Sequence, residues 1–186
     1  MSRDKGLEEV RWHGRGGQGA VLGASMLGSA AALYEGKHAV SFPSFGAERR
    51  GAPVQAFTRI SDSAIRTRSQ IYHPTRIIVL DDTLLDVVNI TDGAQEGATL
   101  LVNTRKQLSE LNIPDTLNLV AIDATAIAQE LIGVAIVNTA MLGALAGATG
   151  LVSIESVRKA IADTLPEKVV ERNIAAAVAA CEKVKR

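Results

Sequence analysis

Short apolar runs alternate along this chain with segments of helical periodicity. The runs are typical of buried strands, and they lie at Glu8–Trp12, Ala39–Phe42, Ile77–Leu80, Thr99–Val102 and Leu117–Ile122. The longer segments are typical of helices, predicted over Ala20–Leu33, Thr83–Val88, Ala124–Leu131, Asn138–Leu145, from a Ser153 cap to Ala162, and from Pro166 onward. Strands separated by helices favour a parallel sheet.

The alternation predicts an α/β fold with a Rossmann-like, doubly wound, mostly parallel sheet of about five to seven strands. Two extended runs, Val54–Ile60 and Ala64–Gln70, flank the turn Ser61–Ser63 and predict an antiparallel hairpin added to that sheet. The last helix should pack through an apolar face made by Val170, Ile174, Val178 and Cys181. We expect residues 1–186 to form a single domain.

The first strand runs into a glycine loop with the spacing Gly14-x-Gly16-x-x-Gly19, and a helix follows. Such a loop binds phosphate through backbone N–H groups and the helix N-terminus, and Arg15 adds a full charge. The alternative is a tight turn that only packs the helix on the sheet. Residues 37–43 carry no carboxylate for a ribose hydroxyl, so NAD is disfavoured.

The helix after the loop is rich in glycine, alanine and serine. Glycine inside a helix lowers its stability by about 1 kcal/mol relative to alanine, so the presence of these glycines requires a structural explanation. Close packing provides one, either against the chain's own sheet or against another chain.

Composition excludes several classes of protein. Apolar residues make up 47% of the 186 residues and aromatic residues 3%, while the formal net charge is zero, which disfavours nucleic-acid binding. The single cysteine, Cys181, cannot hold an iron–sulfur cluster, and three widely separated histidines make a metal site improbable.

The charge-free stretch Leu131–Ile154 is interpreted as a buried helix and a loop rather than a membrane span, and the charged N-terminus does not resemble a signal peptide. A cytoplasmic protein is expected.

Arginine is concentrated between Glu48 and Arg76, a stretch that contains six arginines and only two acidic residues. We expect Arg66 and Arg68 to be solvated, and Arg49 and Arg50, in a loop bounded by glycine and proline, to bind phosphate or form an interface. Asp81 and Asp82 are better explained as strand-end caps than as general bases. No catalytic constellation is visible, so no catalytic residue is assigned to this chain.

Four segments resemble the gamma subunit of 2-oxoacid:ferredoxin oxidoreductases, and the likeness covers essentially the whole chain. They are HGRGGQG at His13–Gly19, FPSFGAERRGAPV at Phe42–Val54, AFTRIS at Ala56–Ser61 and NTAMLG at Asn138–Gly143. The block from Phe42 to Ser61 is similar to the pyruvate and branched-chain 2-oxoacid type. Phenylglyoxylate and oxalate enzymes carry similar gamma chains, so the substrate stays open.

The resemblance implies a complex that converts a 2-oxoacid, CoA and oxidised ferredoxin to acyl-CoA, CO2 and reduced ferredoxin. It places thiamine diphosphate, Mg and [4Fe-4S] clusters in alpha, beta and delta-type (ferredoxin-like) partner subunits, with no cofactor held by this chain alone. The gamma chain is implied to help bind CoA and to close the complex, without nucleic acid or membrane as a partner. The candidate contacts with CoA are Gly14, Arg15, Gly16, Gly17, Gln18, Gly19, Glu48, Arg49 and Arg50.

Two other functions fit the same residues. One is a free-standing nucleotide- or phosphate-binding regulatory domain. The other is a purely structural subunit of such a complex, with a glycine loop that binds nothing and an aryl 2-oxoacid such as phenylglyoxylate as the substrate of the complex.

Overall fold

A six-stranded mixed sheet forms the centre of the structure, a computed structural model that describes residues 6–44 and 50–185. The strand order is β2-β3-β1-β4-β5-β6. The strands are β1 (Glu8–Arg15), β2 (His38–Pro43), β3 (Pro53–Ser61), β4 (Arg76–Val79), β5 (Thr99–Asn103) and β6 (Asn118–Ile122). Strands β1, β4, β5 and β6 are parallel, whereas β3 pairs antiparallel with both β1 and β2. The predicted α/β, mostly parallel sheet with an antiparallel addition is confirmed.

Among the described residues, five α-helices pack mainly against one face of this sheet. They are α1 (Ala20–Ser29), which continues into a π-helical turn at Ala30–Tyr34, α2 (Ala124–Leu131), α3 (Asn138–Thr149), α4 (Ile154–Thr164) and α5 (Glu167–Val184). A smaller apolar cluster on the other face is covered by the 3-10 helix Asp82–Asp86 and by loops. As predicted, the side chain of Ser153 caps α4 by accepting from the backbone N–H of Ser156.

Only the first of the two strands predicted for the hairpin is present. The run Val54–Ile60 lies in β3, but Ala64–Gln70 forms no strand, and β2 takes the place of its partner. The backbone of this segment is held by a side chain instead, because the Arg59 guanidinium donates to the carbonyls of Ser69 at 2.7 Å and Gln70 at 3.2 Å. An arginine can therefore satisfy carbonyls that a sheet would otherwise pair.

The small side chains of α1 are explained by the chain's own sheet. A Cβ atom at Gly23 would lie 2.9 Å from Cζ3 of Trp12, which is fully buried beneath the helix. A Cβ atom at Gly28 would lie still closer to the hydroxyl of Ser41 on β2, which donates to the Ala24 carbonyl at 2.8 Å. The glycines thus let the helix approach the strands, which offsets their low helix propensity.

Helix α3 is buried from Asn138 to Ala146 and packs against α5. The prediction for the contact face of α5 is confirmed in part: Cys181 is buried and Ile174 is half-buried against the core, whereas Val170 and Val178 are only half-buried. The buried residues are Asn173, Ala176, Ala177, Ala180 and Cys181. Glycines on α3 admit the backbone of α5, so small residues rather than large apolar ones form this contact. Within residues 6–44 and 50–185, no helix is long and apolar enough to cross a membrane.

Candidate functional site

The glycine loop joins the end of β1 to the first turn of α1. Gly17 and Gly19 have positive φ angles of 98° and 80°, and Gly19 is the N-cap of α1 in the left-handed conformation. A Cβ atom at Gly19 would also lie 2.5 Å from Nδ2 of Asn138, the first residue of α3. Both the backbone angle and the close approach of α3 therefore require glycine at this position.

A second segment of the chain lies beside the loop. Gly16 donates its N–H to the Ala52 carbonyl at 2.9 Å and accepts from the N–H of Gly51 at 3.1 Å, and Gly16 and Arg50 form an isolated parallel bridge. Arg50 is exposed next to the loop. The structure therefore brings Arg50 to the predicted site, whereas Glu48 and Arg49 lie outside the described residues.

Arg15 and Gln18 both bind the carboxylate of Asp81, which follows β4. Nε of Arg15 lies 3.1 Å from Oδ2 of Asp81, and Nε2 of Gln18 donates to the same oxygen at 3.0 Å. Gln18 also accepts the N–H of Arg15 through Oε1 at 2.7 Å, which closes the turn. Three side chains from two strand ends thus form one hydrogen-bonded cluster.

The electrostatics of this cluster keep Asp81 ionised. Burial raises the pKa of Asp81, but the hydrogen bonds from Thr83 and Gln18 and the charge of Arg15 outweigh burial, so that its pKa lies below the usual value. Asp81 also caps the following 3-10 helix by accepting from the N–H of Thr83 at 3.1 Å. The prediction that Asp81 is a strand-end cap is confirmed.

The cluster bridges the point where the connections of the sheet diverge. Helix α1 leaves β1 toward the larger apolar cluster, whereas the 3-10 helix after β4 leaves toward the smaller one. Ligands of open α/β sheets bind in the crevice that such a divergence leaves at the carboxyl ends of the strands. Here Arg15, Gln18 and Asp81 span the crevice, and a cavity opens on each side of them.

The first cavity, of about 490 Å³, lies over the glycine loop and the start of α1. It is lined by Arg15, Gly16, Gly17, Gly19, Ala20, Val21, Leu22, Ser25 and Val54. Four of the candidate contacts, Arg15 and three glycines, therefore share one cavity. Gly14 does not line it, since a Cβ atom there would lie 3.2 Å from Leu80 and 3.3 Å from Ala20.

Arg15 is held by three neighbours and keeps spare donors. Besides Asp81, its guanidinium donates to the Gly51 carbonyl at 3.2 Å and to the Thr83 hydroxyl at 2.7 Å. A guanidinium carries five N–H donors, so two are left for a ligand in the cavity that Arg15 lines. The side chain is 28% exposed, which leaves it reachable from that cavity.

The second cavity, of about 480 Å³, lies at the carboxyl ends of β4, β5 and β6. Gln18 faces this cavity rather than the first one, together with Asp82, Thr104 and Lys106. The carboxylates here already have partners: Asp82 accepts from the Thr104 hydroxyl at 2.6 Å, and Asp123 lies 3.1 Å from Arg105. The sequence interpretation missed Thr104, Lys106 and Asp123. Their position directly after β5 and β6 was the available signal.

Asn103, at the end of β5, connects three elements beneath this second cavity. Its amide donates to the Leu80 carbonyl at 2.9 Å, and its carbonyl accepts from the N–H groups of Ala124 and Thr125 at 2.9 and 3.2 Å. The first N–H groups of α2 are therefore already satisfied. They are not available as an anion site.

The histidines and the cysteine have no shared site. His13 is buried and accepts from Nε of Arg11 at 3.1 Å, and burial, with a smaller contribution from the charge of Arg11, lowers its pKa to about 3. Cys181 is buried on α5, and His38 and His73 are exposed. The described part of the chain contains no group of three or more His, Cys, Asp or Glu side chains arranged to hold a metal ion.

The chain is similar to one protein family over nearly its whole length. The family model for pyruvate ferredoxin/flavodoxin oxidoreductase matches residues 9–183. The pyruvate synthase subunit PorC of Methanocaldococcus jannaschii is 53% identical over 169 residues, which cover 91% of this chain and 92% of that protein. The pyruvate/ketoisovalerate oxidoreductases common subunit gamma of Thermococcus litoralis is 52% identical over 180 residues, covering 94% of this chain and 96% of that protein.

The fold is also found in a crystal structure. The pyruvate oxidoreductase subunit PORC of Thermotoga maritima has a TM-score of 0.82 and 39% sequence identity, covering 95% of this chain and 96% of that one. Both sequence and fold thus agree over more than nine-tenths of each chain.

Proposed function

The chain belongs to the pyruvate ferredoxin/flavodoxin oxidoreductase family, and we propose that it is the gamma subunit of a multisubunit 2-oxoacid:ferredoxin oxidoreductase. The complex would convert a 2-oxoacid, CoA and oxidised ferredoxin to acyl-CoA, CO2 and reduced ferredoxin in the cytoplasm. The observation that carries the proposal is the identity of 52–53% to two gamma-type subunits over more than nine-tenths of the chain.

The proposal assigns the chemistry to the partners. Thiamine diphosphate, with Mg, provides carbanion stabilisation when it is bound, and [4Fe-4S] clusters carry electrons to ferredoxin. We place these groups in alpha, beta and delta-type subunits. A single buried cysteine in this chain is consistent with that division of roles.

We propose that this chain binds CoA at the glycine loop. The pyrophosphate of CoA needs backbone donors and fixed positive charge. The start of α1 offers the first, and the spare donors of Arg15 with the neighbouring Arg50 offer the second. The remaining wall, which includes Val21, Leu22 and Val54, is apolar and suits the less polar part of a ligand.

Replacing Arg15 with alanine in the assembled enzyme is expected to raise the KM for CoA. The loss of a charge-assisted contact is worth about 1.5 to 3 kcal/mol, which corresponds to an increase of about 10- to 150-fold. Decarboxylation of the 2-oxoacid without CoA should persist, because the loop does not touch the decarboxylating group in this proposal. Steady-state kinetics with CoA as the varied substrate measures the effect.

The matched control is Arg172→Ala, on the exposed face of α5 and away from both cavities. It should leave the KM for CoA unchanged. If the loop only packs α1 on the sheet, Arg15→Ala will lower the stability of the subunit, since Asp81 loses its ion-pair partner, while the KM for CoA stays at the wild-type value. That result would show that CoA does not bind at the glycine loop, and it would favour the structural-subunit alternative.

A further inference from the structure

Strand β2 leaves one edge of the sheet open. It is the first strand in the sheet order and pairs only with β3 among the described residues. The N–H of Ser44 donates to the Gln55 carbonyl at 2.9 Å, which fixes the alternation of the antiparallel pair. Ala39 and Ser41 therefore direct their backbone N–H and C=O groups away from β3. Pro43 has the same outward orientation, so the absence of an N–H group in proline removes no hydrogen bond between β2 and β3.

A cavity of about 410 Å³ follows this edge. Its lining consists of Ala39, Val40, Ser41, Phe42 and Arg68. Successive residues of a strand point to opposite faces of the sheet, so a cavity that touches four in a row lies along the edge rather than on one face. The outward backbone groups of β2 thus open into this space.

The segment 64–70, beside this edge, has no regular structure and is anchored by side-chain hydrogen bonds. Arg59 donates to the carbonyls of Ser69 and Gln70. Its side chain is only 4% exposed and also forms an ion pair with Glu9 at 2.8 Å. Gln70 donates to the hydroxyl of Ser44, directly after β2, at 3.3 Å. A buried ion pair therefore fixes an exposed segment next to the open strand.

The arginines on this segment have no ion-pair partner in the part of the chain that the structure describes. Arg66 and Arg68 are exposed, and neither forms an ion pair with a described residue, whereas Arg59 and Arg76 pair with Glu9 and Glu8. The nearest acid along the chain, Asp62, is paired with Lys37 at 3.3 Å. Free guanidinium groups beside open backbone donors favour a partner that carries carboxylates.

We propose that the β2 edge, with Arg66 and Arg68, is a docking surface for an extended acidic segment of a partner subunit, which adds to the sheet as a seventh strand. Backbone hydrogen bonds to Ala39 and Ser41 supply the pairing, and the two arginines select the acidic sequence. A second copy of this chain is the less favourable occupant, because it would bring its own uncompensated arginines to the same edge. This inference rests on the proposed function, since it requires partner subunits.

The first test reverses the two charges in the co-expressed complex. Arg66→Glu with Arg68→Glu should weaken retention of this chain by the partner subunits by about tenfold or more, and the loss should deepen as ionic strength falls, because like charges then repel over a longer range. The matched control is Lys168→Glu with Arg172→Glu, an equal change of charge on the exposed face of α5. Equal retention of both double variants, or equal loss in both, overturns the docking surface.

The second test follows backbone amides by residue-resolved hydrogen exchange in the wild-type complex and in the isolated subunit. We expect exchange at Ala39 and Ser41 to slow by about tenfold or more in the complex. Val40 and Phe42 serve as internal controls, because their N–H groups already face β3. Unchanged exchange at Ala39 and Ser41 overturns the proposal, and so does protection that is already present in the isolated subunit, which would indicate a second copy.

The two proposals fail in different ways. If the wild-type chain binds no partner subunits, the gamma-subunit function is wrong, and the docking surface is wrong with it. If the wild-type complex assembles and remains active but the β2 edge gains no protection, only the docking surface is wrong.

Discussion

Replacing Gly143 with alanine is expected to lower the free energy of unfolding by about 3 kcal/mol, at the upper end of the usual cost of overpacking a core. A Cβ atom at this position would lie 2.5 Å from the carbonyl carbon of Ala177 and still closer to its oxygen. Backbone cannot rotate away as a side chain can, so α5 has to move relative to α3. Chemical denaturation of the subunit measures the change.

The sign of this effect is informative, because helix propensity alone gives the opposite result. Glycine to alanine inside a free helix is stabilising by about 1 kcal/mol. The control is Ala175→Leu on the exposed face of α5, for which a change within about 0.5 kcal/mol is expected. A Gly143→Ala variant as stable as the wild type would show that α3 and α5 do not cross at this point.

The stability of the subunit is expected to fall below pH 6.5 because of His13. Its folded-state pKa is lowered to about 3, mainly by burial and also by the charge of Arg11, against an ordinary value of 6.5. Above pH 6.5 the histidine is neutral in both states and its full contribution is present. Between pH 6.5 and 3 the unfolded chain binds a proton that the folded chain excludes, so stability falls by about 1.4 kcal/mol per pH unit, about 3 kcal/mol by pH 4.5.

Replacing His13 with glutamine isolates this contribution. Glutamine keeps an acceptor for Nε of Arg11 and does not titrate, so the slope of unfolding free energy against pH should decrease by about 1.4 kcal/mol per unit between pH 6 and 4.5. His38→Gln, at an exposed histidine on β2, should keep the wild-type slope. Parallel curves for the wild type and His13→Gln would contradict a neutral, buried His13.

Local sequence signals were sufficient for most of the fold. The helix Ala124–Leu131 has the predicted bounds, and Ser153 and Asp81 are the predicted caps. Such features depend on residues a few positions apart, whose hydrogen bonds are determined by the local backbone. The glycine loop could be predicted for the same reason.

Features that depend on distant residues could not be predicted. Nothing near Val54–Ile60 indicates that β2, rather than the run after the turn, lies beside it. The prediction for the contact face of α5 includes Ile174 and Cys181 but omits the buried alanines. The glycines on α3 that admit its backbone lie about 30 residues earlier, and apolar periodicity favours large side chains over alanine.

The candidate site shows the same division. Arg15 was identified as a charge in the loop, but its partner Asp81 lies 66 positions away and converts a free cation into an oriented donor. Likewise the sequence places Arg59 and Arg76 among the six arginines between Glu48 and Arg76, although each is paired with a glutamate of β1. A sequence gives the number of arginines in a region. It does not give the carbonyls and carboxylates that the fold brings to them.

Co-elution of this chain with enzymatic activity tests the gamma-subunit function most directly. An affinity-tagged chain, produced in cells that contain its partner subunits, is passed over a gel-filtration column, and each fraction is assayed for CoA-dependent reduction of ferredoxin by a 2-oxoacid. We expect the chain to elute at the size of a multisubunit complex, in the fractions that carry the activity. A chain that elutes as a stable monomer, separate from that activity, would contradict its assignment as the gamma subunit.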